Sequence, residues 1–183
     1  MTPIDPQIIQ RSKRGDKEAF SVIVRHYGRM IFSLALKMMH DEDEAKDIVQ
    51  ETLIKLWLNI EHYDMQQSLT TWIYTIAARL CLDKLKSTHP HSPLPDDEKI
   101  FHDYAREADP HENLENREWV AITKTLSDGL SPKQKIVFTL CLLEGLSSHE
   151  VEKITGLSAT QVKSNLYAAR QNIKEKLKQS GYE

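Results

Sequence analysis

The residue types best suited to chemistry lie along one side of a predicted helix near the end of the chain. Apolar residues recur at helical spacing from Val162 to Leu177, so the polar side chains between them share the opposite face. That face and the residue before the helix carry hydroxyl, amide and cationic groups: Ser158, Thr160, Gln161, Lys163, Ser164, Tyr167 and Arg170. Because such groups hydrogen-bond to base edges and phosphates, the pattern is typical of a helix that enters a DNA major groove. An ordinary amphipathic surface helix would show the same spacing.

Capping signals place this helix in a helix-turn-helix. Ser147 with Glu150, and Ser158 with Gln161, have the spacing of capping boxes, in which each side chain bonds to the backbone N–H of the other. Gly156 lies between the two helices, where a tight turn needs a residue that adopts a positive φ.

A second polar face is predicted within residues 68–86. Its β-branched and aromatic residues favour a strand, but Ile73, Ala77 and Leu80 follow a helical period, and we predict a helix. The face opposite these residues carries Trp72, Tyr74, Thr75, Arg79, Lys84 and Lys86. Aromatic rings that stack on bases, beside cations that bind phosphates, suit single-stranded DNA. The alternative is that the aromatic rings pack in the core.

Other chemistries find little support in the sequence. His149-Glu150 begins like a zinc-protease motif, but Lys153 stands where the second histidine ligand is required. The histidines in the middle of the chain match no zinc spacing: His89, His91, His102 and His111. We read no pairing of a nucleophile with a base, and we expect no metal site, no cofactor and no enzymatic activity.

The charge is unevenly distributed along the 183 residues. The net charge of -3 combines a neutral segment 1–86, an acidic segment 87–118 and a basic segment 119–183. Four prolines lie between residues 87 and 110, where no apolar period is sustained. We therefore predict an all-α chain with two small helical domains, 1–86 and 117–183, joined by an acidic, proline-containing linker at 87–116. The modest positive charge of the tail predicts weak DNA binding by the protein alone.

The setting is expected to be the cytoplasm. The sequence has neither an apolar run long enough to cross a membrane nor the features of a signal peptide at its start. Cys81 and Cys141 lie within apolar helical patterns without C-x-x-C spacing, so we expect two reduced core thiols.

The first domain shows clear helix starts. Asp5-Pro6 and Asp16 are suitable N-caps, and Asp16 precedes a long apolar stripe from Phe20 to Met38. The acidic run Asp41–Glu44 suits the positive end of a helix, and it lacks the alternating ligands and turn glycine of a calcium loop. The helix that follows is predicted to present Asp47, Gln50, Glu51 and Lys55 outward.

Three stretches of the chain resemble bacterial sigma factors of the extracytoplasmic-function group. Residues 41–57 (DEDEAKDIVQETLIKLW) are similar to the helix that binds core RNA polymerase. Residues 71–79 (TWIYTIAAR) with 83–86 (DKLK) resemble the promoter-melting helix. Residues 130–138 (LSPKQKIVF), 144–147 (EGLS) and 162–164 (VKS) resemble the reader of the upstream promoter element. Their order and the chain length make the combination specific.

The resemblance implies a role for each polar face. Asp47, Gln50, Glu51 and Lys55 would bind core RNA polymerase. The helix from Trp72 to Lys86, with the preceding loop 61–67, would capture unstacked bases of the minus-ten element, and the C-terminal helix would read the minus-thirty-five element. It also implies an anti-sigma factor as a further partner.

Four residues depart from the family pattern. Leu80 stands where an asparagine is usual, and Glu152 where a small alanine is usual. Asn165 and Ala168 replace frequent arginines, which predicts weaker or altered recognition of the upstream element.

The competing interpretation is a helix-turn-helix regulator that binds duplex DNA without polymerase. Such a protein would bind tightly alone and would dimerise. The neutral first domain and the weakly charged tail count against it.

Overall fold

The computed structural model describes residues 4–86 and 121–179. Every regular element in these two ranges is helical, which confirms the predicted all-α class. The first unit contains α1 (Pro6–Lys13), α2 (Lys17–Met39), α3 (Glu42–Asn59), a 3₁₀ turn (Ile60–His62) and α4 (Leu69–Lys86). The second contains α5 (residues 121–127), α6 (Pro132–Phe138), a π-helical turn (Thr139–Leu143), α7 (Ser148–Thr155) and α8 (Ala159–Gln179). The predicted linker, 87–116, lies outside the described residues.

The helix starts of the first unit follow the predicted caps. An oxygen of Asp5 accepts from Gln7 N at 2.8 Å, and one of Asp16 accepts from Ala19 N at 3.0 Å. Asp41 caps α3 by accepting from the backbone N–H groups of residues 43 and 44. The acidic run 41–44 is therefore a helix start, as its sequence indicates.

Residues 69–86, whose sequence is ambiguous between strand and helix, form α4 because the apolar face of this helix is buried. Ile73 and Ala77 have no exposed surface, and Leu80 is buried beside them. Burial of this face against α2 and α3 outweighs the β propensity of its first half.

A single cluster of buried apolar side chains runs through both units. It includes Leu34 of α2 and Ile73 of α4, together with Ile136, Leu140 and Val151 from the second unit. Helices α6 and α7 pack directly on α4. The two units predicted from the sequence are thus held against each other.

A smaller cluster fixes α8 on the second unit. Phe138, Ala169 and Ile173 are buried together and pack against Leu126 and other partly buried side chains. The predicted apolar stripe ends before Leu177, which is 39% exposed.

Candidate nucleic-acid and polymerase interfaces

The helix-turn-helix has the predicted capping geometry. Ser147 N donates to a Glu150 carboxylate oxygen at 2.8 Å, and Glu150 N donates to Ser147 Oγ at 3.3 Å. Hydrogen bonds from the Ser147 hydroxyl and backbone hold the pKa of Glu150 below its usual value. Gly156 ends α7 with φ of 70°, which an L side chain adopts only with strain.

The second capping box involves Gln161, one of the predicted base readers. Ser158 N donates to Gln161 Oε1 at 3.0 Å, and Gln161 N donates to Ser158 Oγ at 3.3 Å. This amide oxygen therefore stabilises the start of α8, while the Nε2 group of the same side chain is a donor for a partner.

The predicted reading face of α8 is exposed along its length. Its exposed residues are Ser158, Thr160, Gln161, Lys163, Ser164, Tyr167 and Arg170. Tyr167, the aromatic residue of this face, has 65% of its surface exposed. Asn165, which stands where the family often has arginine, donates through Nδ2 to Gln161 O at 2.8 Å.

A cleft of about 510 Å³ lies where α3, the loop after it and α4 meet. Its lining combines aromatic, apolar, cationic and carboxylate groups: Lys55, Asn59, His62, Tyr63, Asp64, Gln67, Trp72, Ile76, Arg79, Leu80 and Asp83. The volume of the cleft falls within the range of small-molecule sites, so the cleft is large enough for a single nucleobase. Leu80 gives part of its wall an apolar character.

Stacked aromatic rings form one wall of this cleft. The Tyr63 and Trp72 rings stack with centroids 5.0 Å apart and an interplanar angle of 23°. The Tyr63 hydroxyl donates to Gln67 O at 2.5 Å, and burial raises its pKa. Trp72 is half-buried. Part of its ring packs on the protein, as the alternative interpretation predicts, and another part lines the cleft.

The remaining predicted minus-ten residues differ in accessibility. Arg79 and Lys86 are exposed, and Thr75 Oγ1 donates to Thr71 O at 2.8 Å. Lys84 is instead paired with Glu44 and Asp47 of α3. Burial opposes the charge on Lys84, but these carboxylates outweigh it and raise the pKa of the ammonium.

Tyr74 lies elsewhere than the predicted polar face suggests. It is 6% exposed, and its hydroxyl donates to Glu144 Oε2 of the second unit at 2.9 Å. The alternative of core packing therefore holds for Tyr74. The α4 pattern alone could not decide this, because Glu144, which accepts from its hydroxyl, lies 70 positions away in sequence.

The predicted polymerase face follows successive turns of α3. The Asp47 side chain is 70% exposed, whereas Glu51, which pairs with Lys55 at 3.4 Å, is 18% exposed and so is less open than predicted. Gln50 is half-buried. Leu58, which sequence reasoning missed, continues the same face and is 69% exposed. The sequence could have indicated the exposure of Leu58, because this leucine lies three positions beyond Lys55 and outside the buried stripe of α3.

Within residues 4–86 and 121–179, no three His, Cys, Asp or Glu side chains are grouped so that they could hold a metal ion. Cys81 is buried and Cys141 is half-buried, and both thiols are free. Burial raises the pKa of Cys81 to about 12, as expected of an unreactive core thiol. None of the described helices is both long and apolar enough to span a bilayer.

Comparison with known proteins identifies both units. A family model of sigma-70 region 2 matches residues 23–89, and a model of sigma-70 region 4 matches residues 123–173. Together these matches cover more than half of the chain. The chain belongs to the sigma-70 family, in its extracytoplasmic-function group.

Relatives match the chain along nearly its whole length. The extracytoplasmic-function sigma factor SigW of Bacillus subtilis is 28% identical over 180 residues, which cover 93% of this chain and 95% of SigW. The sigma-H factor of Pseudomonas aeruginosa is also 28% identical over 180 residues, covering 94% of this chain and 93% of that protein.

A solved structure shares the fold. CnrH in complex with the cytosolic domain of CnrY has a TM-score of 0.66 at 19% identity, covering 93% of this chain and 95% of that one. The two sigma-70 family matches make the chain a transcription initiation factor, which binds core RNA polymerase and directs it to promoter DNA.

Proposed function

We propose that the three polar surfaces divide the work of initiation: α3 binds core polymerase, the cleft beside α4 captures the minus-ten element, and α8 reads the minus-thirty-five element. The observation that carries this assignment is the exposed donor face of α8, which begins at the turn of the helix-turn-helix. Residues at the start of such a helix reach base edges, and residues farther along meet phosphates.

On α3, the polymerase contacts are Asp47, Gln50, Glu51 and Lys55. The high exposure of Asp47 and of Leu58, three turns farther along α3, supports this face, since it combines charge with an apolar anchor. Lys84 acts here by holding α4 against α3, and we assign it a supporting role in DNA binding.

At the minus-ten element, an unstacked base enters the cleft against the Tyr63–Trp72 stack. Stacking on aromatic rings offsets the few kcal/mol that unpairing a base costs. Arg79 lies at the cleft and Lys86 at the exposed end of α4, where both can meet phosphate. Thr75 and Tyr74 are the remaining residues predicted to contact the minus-ten element. Tyr74 can reach DNA only when the second unit moves away from α4.

At the minus-thirty-five element, Thr160 and Gln161 contact base edges. Lys163 and Arg170 lie farther along the exposed side and contact phosphate, as do the hydroxyls of Ser158, Ser164 and Tyr167. The protein performs no covalent chemistry in this scheme, and it acts in the cytoplasm, where polymerase and chromosome meet.

An anti-sigma factor is proposed as a regulator. A protein of the same fold, the sigma factor RpoE of Bartonella quintana, was solved in complex with the anti-sigma factor NepR, with a TM-score of 0.61 at 20% identity over 87% of this chain and 96% of that one. Pull-down from the source organism with the tagged chain, followed by repression of transcription with the purified partner, tests this proposal.

Run-off transcription with purified core polymerase on fragmented genomic DNA tests the proposed function. Discrete transcripts that require both proteins are expected. Sequencing their upstream ends yields the two promoter elements. Loss of these transcripts in Arg79→Ala, and a changed upstream-element preference in Gln161→Glu, check the assigned surfaces.

A further inference from the structure

The loop that lines the cleft beside α4 is tied together by three hydrogen bonds of its own. The Tyr63 hydroxyl donates to Gln67 O at 2.5 Å, and Gln67 N donates to Asp64 O at 3.0 Å. The Asp64 carboxylate accepts from Gln66 N at 2.9 Å. Because Tyr63, Asp64 and Gln67 all line the cleft, the position of this loop sets the shape of one cleft wall.

Helix α1 supplies a charged contact to this loop from outside the cleft. Lys13 Nζ donates to Tyr63 O at 2.5 Å, across 50 positions of sequence. Lys13 is half-buried, and it is not among the residues that line the cleft. The ammonium donor makes this a charge-assisted hydrogen bond, which is stronger than one between neutral groups. The contact fixes the loop backbone at the residue whose ring forms the wall.

Packing and a weaker contact align α1 with the same loop. Ile9 of α1 is buried in the same cluster as Tyr63. Gln10, one turn before Lys13, donates through Nε2 to Met65 Sδ at 3.6 Å. A thioether is a poor acceptor, so the Lys13 contact is the stronger of these two.

The Tyr63 residue is restrained at three points. Lys13 holds its backbone carbonyl, Trp72 stacks on its ring with centroids 5.0 Å apart, and its hydroxyl bonds to Gln67 O. The hydroxyl bond lies within the loop and moves with it, and aromatic rings stack over a range of offsets. Of these three contacts, the one from Lys13 anchors the loop backbone to another helix.

We propose that Lys13 is a positioning residue for minus-ten recognition: its ammonium group, bound to Tyr63 O, holds the Tyr63 ring where an unstacked base stacks, and it does not itself touch DNA. This role rests on the proposed function of the cleft. The match to sigma-70 region 2 begins at residue 23 and so assigns no role to α1. A loop that is already held in its binding geometry avoids the cost of being ordered when DNA binds.

A small set of variants in the full chain tests this role. Lys13→Met keeps most of the length and the apolar stem of the side chain and removes the ammonium donor. Lys13→Arg should restore the contact, since a guanidinium also donates to a carbonyl. Lys17→Met is the matched control, because it removes the same charge at an exposed position four residues farther along the chain. Should far-UV circular dichroism show that Lys13→Met does not fold, Lys13→Gln takes its place.

The free proteins report the position of the loop without polymerase. Near-UV circular dichroism is sensitive to the packing of aromatic rings, and comparison with Trp72→Phe identifies the part of the signal that comes from the Tyr63–Trp72 stack. We expect this part to change in Lys13→Met and to stay as in the wild type in Lys13→Arg and Lys17→Met.

Holoenzyme reports the consequence for DNA. Labelled single strands that carry the minus-ten element found by run-off transcription are titrated with holoenzyme, alongside strands that lack one base at a time. The wild type should lose most affinity at the position whose base enters the cleft. Lys13→Met should bind the complete strand about tenfold more weakly than the wild type. It should bind the strand without that base as the wild type does, because a positioning residue acts through the stacked base.

An unchanged near-UV signal in Lys13→Met would overturn this role, as would unchanged binding of the complete strand. Equal weakening on complete and base-lacking strands would also overturn it and would make Lys13 a phosphate contact. If wild-type holoenzyme showed no dependence on any base of the strand, the proposed function of the cleft would fail. The near-UV signal would still decide whether Lys13 positions the loop.

Discussion

At the residue scale, Gln161 combines two tasks that the sequence alone does not separate. Its position in a capping box could be predicted, and the structure shows that its amide oxygen is occupied in that box. The free Nε2 group is then the part of the side chain that can read a base. A replacement by alanine would confuse these effects, because loss of a cap costs about 0.5–2 kcal/mol of stability.

We therefore predict the effect of Gln161→Glu, which keeps a capping oxygen and removes the amide donor. The variant should keep its melting temperature and change base preference at one position, by about 1–3 kcal/mol. Footprinting of holoenzyme on a randomised upstream element measures this. The added carboxylate opposes phosphates on all sequences, so an unchanged base preference is the result that would contradict a base-reading role.

Arg170→Ala is predicted to behave in the opposite way. It should weaken binding about equally on all sequences and reduce the salt slope by about one, because it removes one phosphate contact. Holoenzyme titrations at several salt concentrations are the measurement. A changed sequence preference would move Arg170 to the base-reading group.

At the scale of elements, helix starts were the most predictable features. Asp5, Asp16 and Asp41 cap α1 to α3 as their positions indicate. A third capping box, Ser131 with Gln134, was missed although its serine and glutamine have the required spacing. The π-helical turn before Glu144 could not be predicted, since no local pattern marks it.

The polymerase face of α3 leads to an element-scale prediction. Asp47→Lys should weaken polymerase binding about tenfold, whereas Asp43→Lys, one turn earlier and 94% exposed, should not. Asp43→Lys should keep stability to within about 1 kcal/mol, because exposed ion pairs contribute little. Asp47→Lys should cost more stability than Asp43→Lys, because it replaces a carboxylate partner of the mostly buried Lys84 by a like charge. Co-purification with core polymerase and thermal melting decide the outcome, and equal binding by both variants would exclude this face.

The end of α2 predicts a pH dependence. Burial, together with the charges of Lys135 and Lys124, lowers the pKa of His40 to about 4, and Asp128 offsets this in part. An unfolded histidine has a pKa of about 6.5, so the unfolded chain binds the proton more tightly. The contribution of neutral His40 is complete above about pH 6.5 and is lost as the pH falls towards 4.

Denaturation at pH 7 and pH 5 measures this contribution. The wild type should lose more stability between these values than His40→Asn, which has no titrating ring and tolerates the left-handed backbone at this position, where φ is 58°. Equal losses in the two proteins would show that His40 does not titrate as inferred.

At the scale of the whole molecule, the sequence predicted two helical units but not their contact. Periodicity identifies which face of α4 is apolar, because that information is local. The pairing of Glu144 with Lys37 joins residues 107 positions apart, and no spacing rule connects them. The same limit explains why the sequence left open whether Tyr74 is accessible or packed in the core, where the structure places it.

The central claim is that this chain recognises promoters as a part of RNA polymerase. The packing of its two units against each other and the modest positive charge of segment 119–183 both predict poor DNA binding by the protein alone. Band-shift titrations of promoter duplexes at physiological salt, with and without core polymerase, test this most directly. We expect tight, sequence-specific complexes with polymerase present and weak, non-specific binding without it. Nanomolar, sequence-specific binding by the free protein would contradict the account.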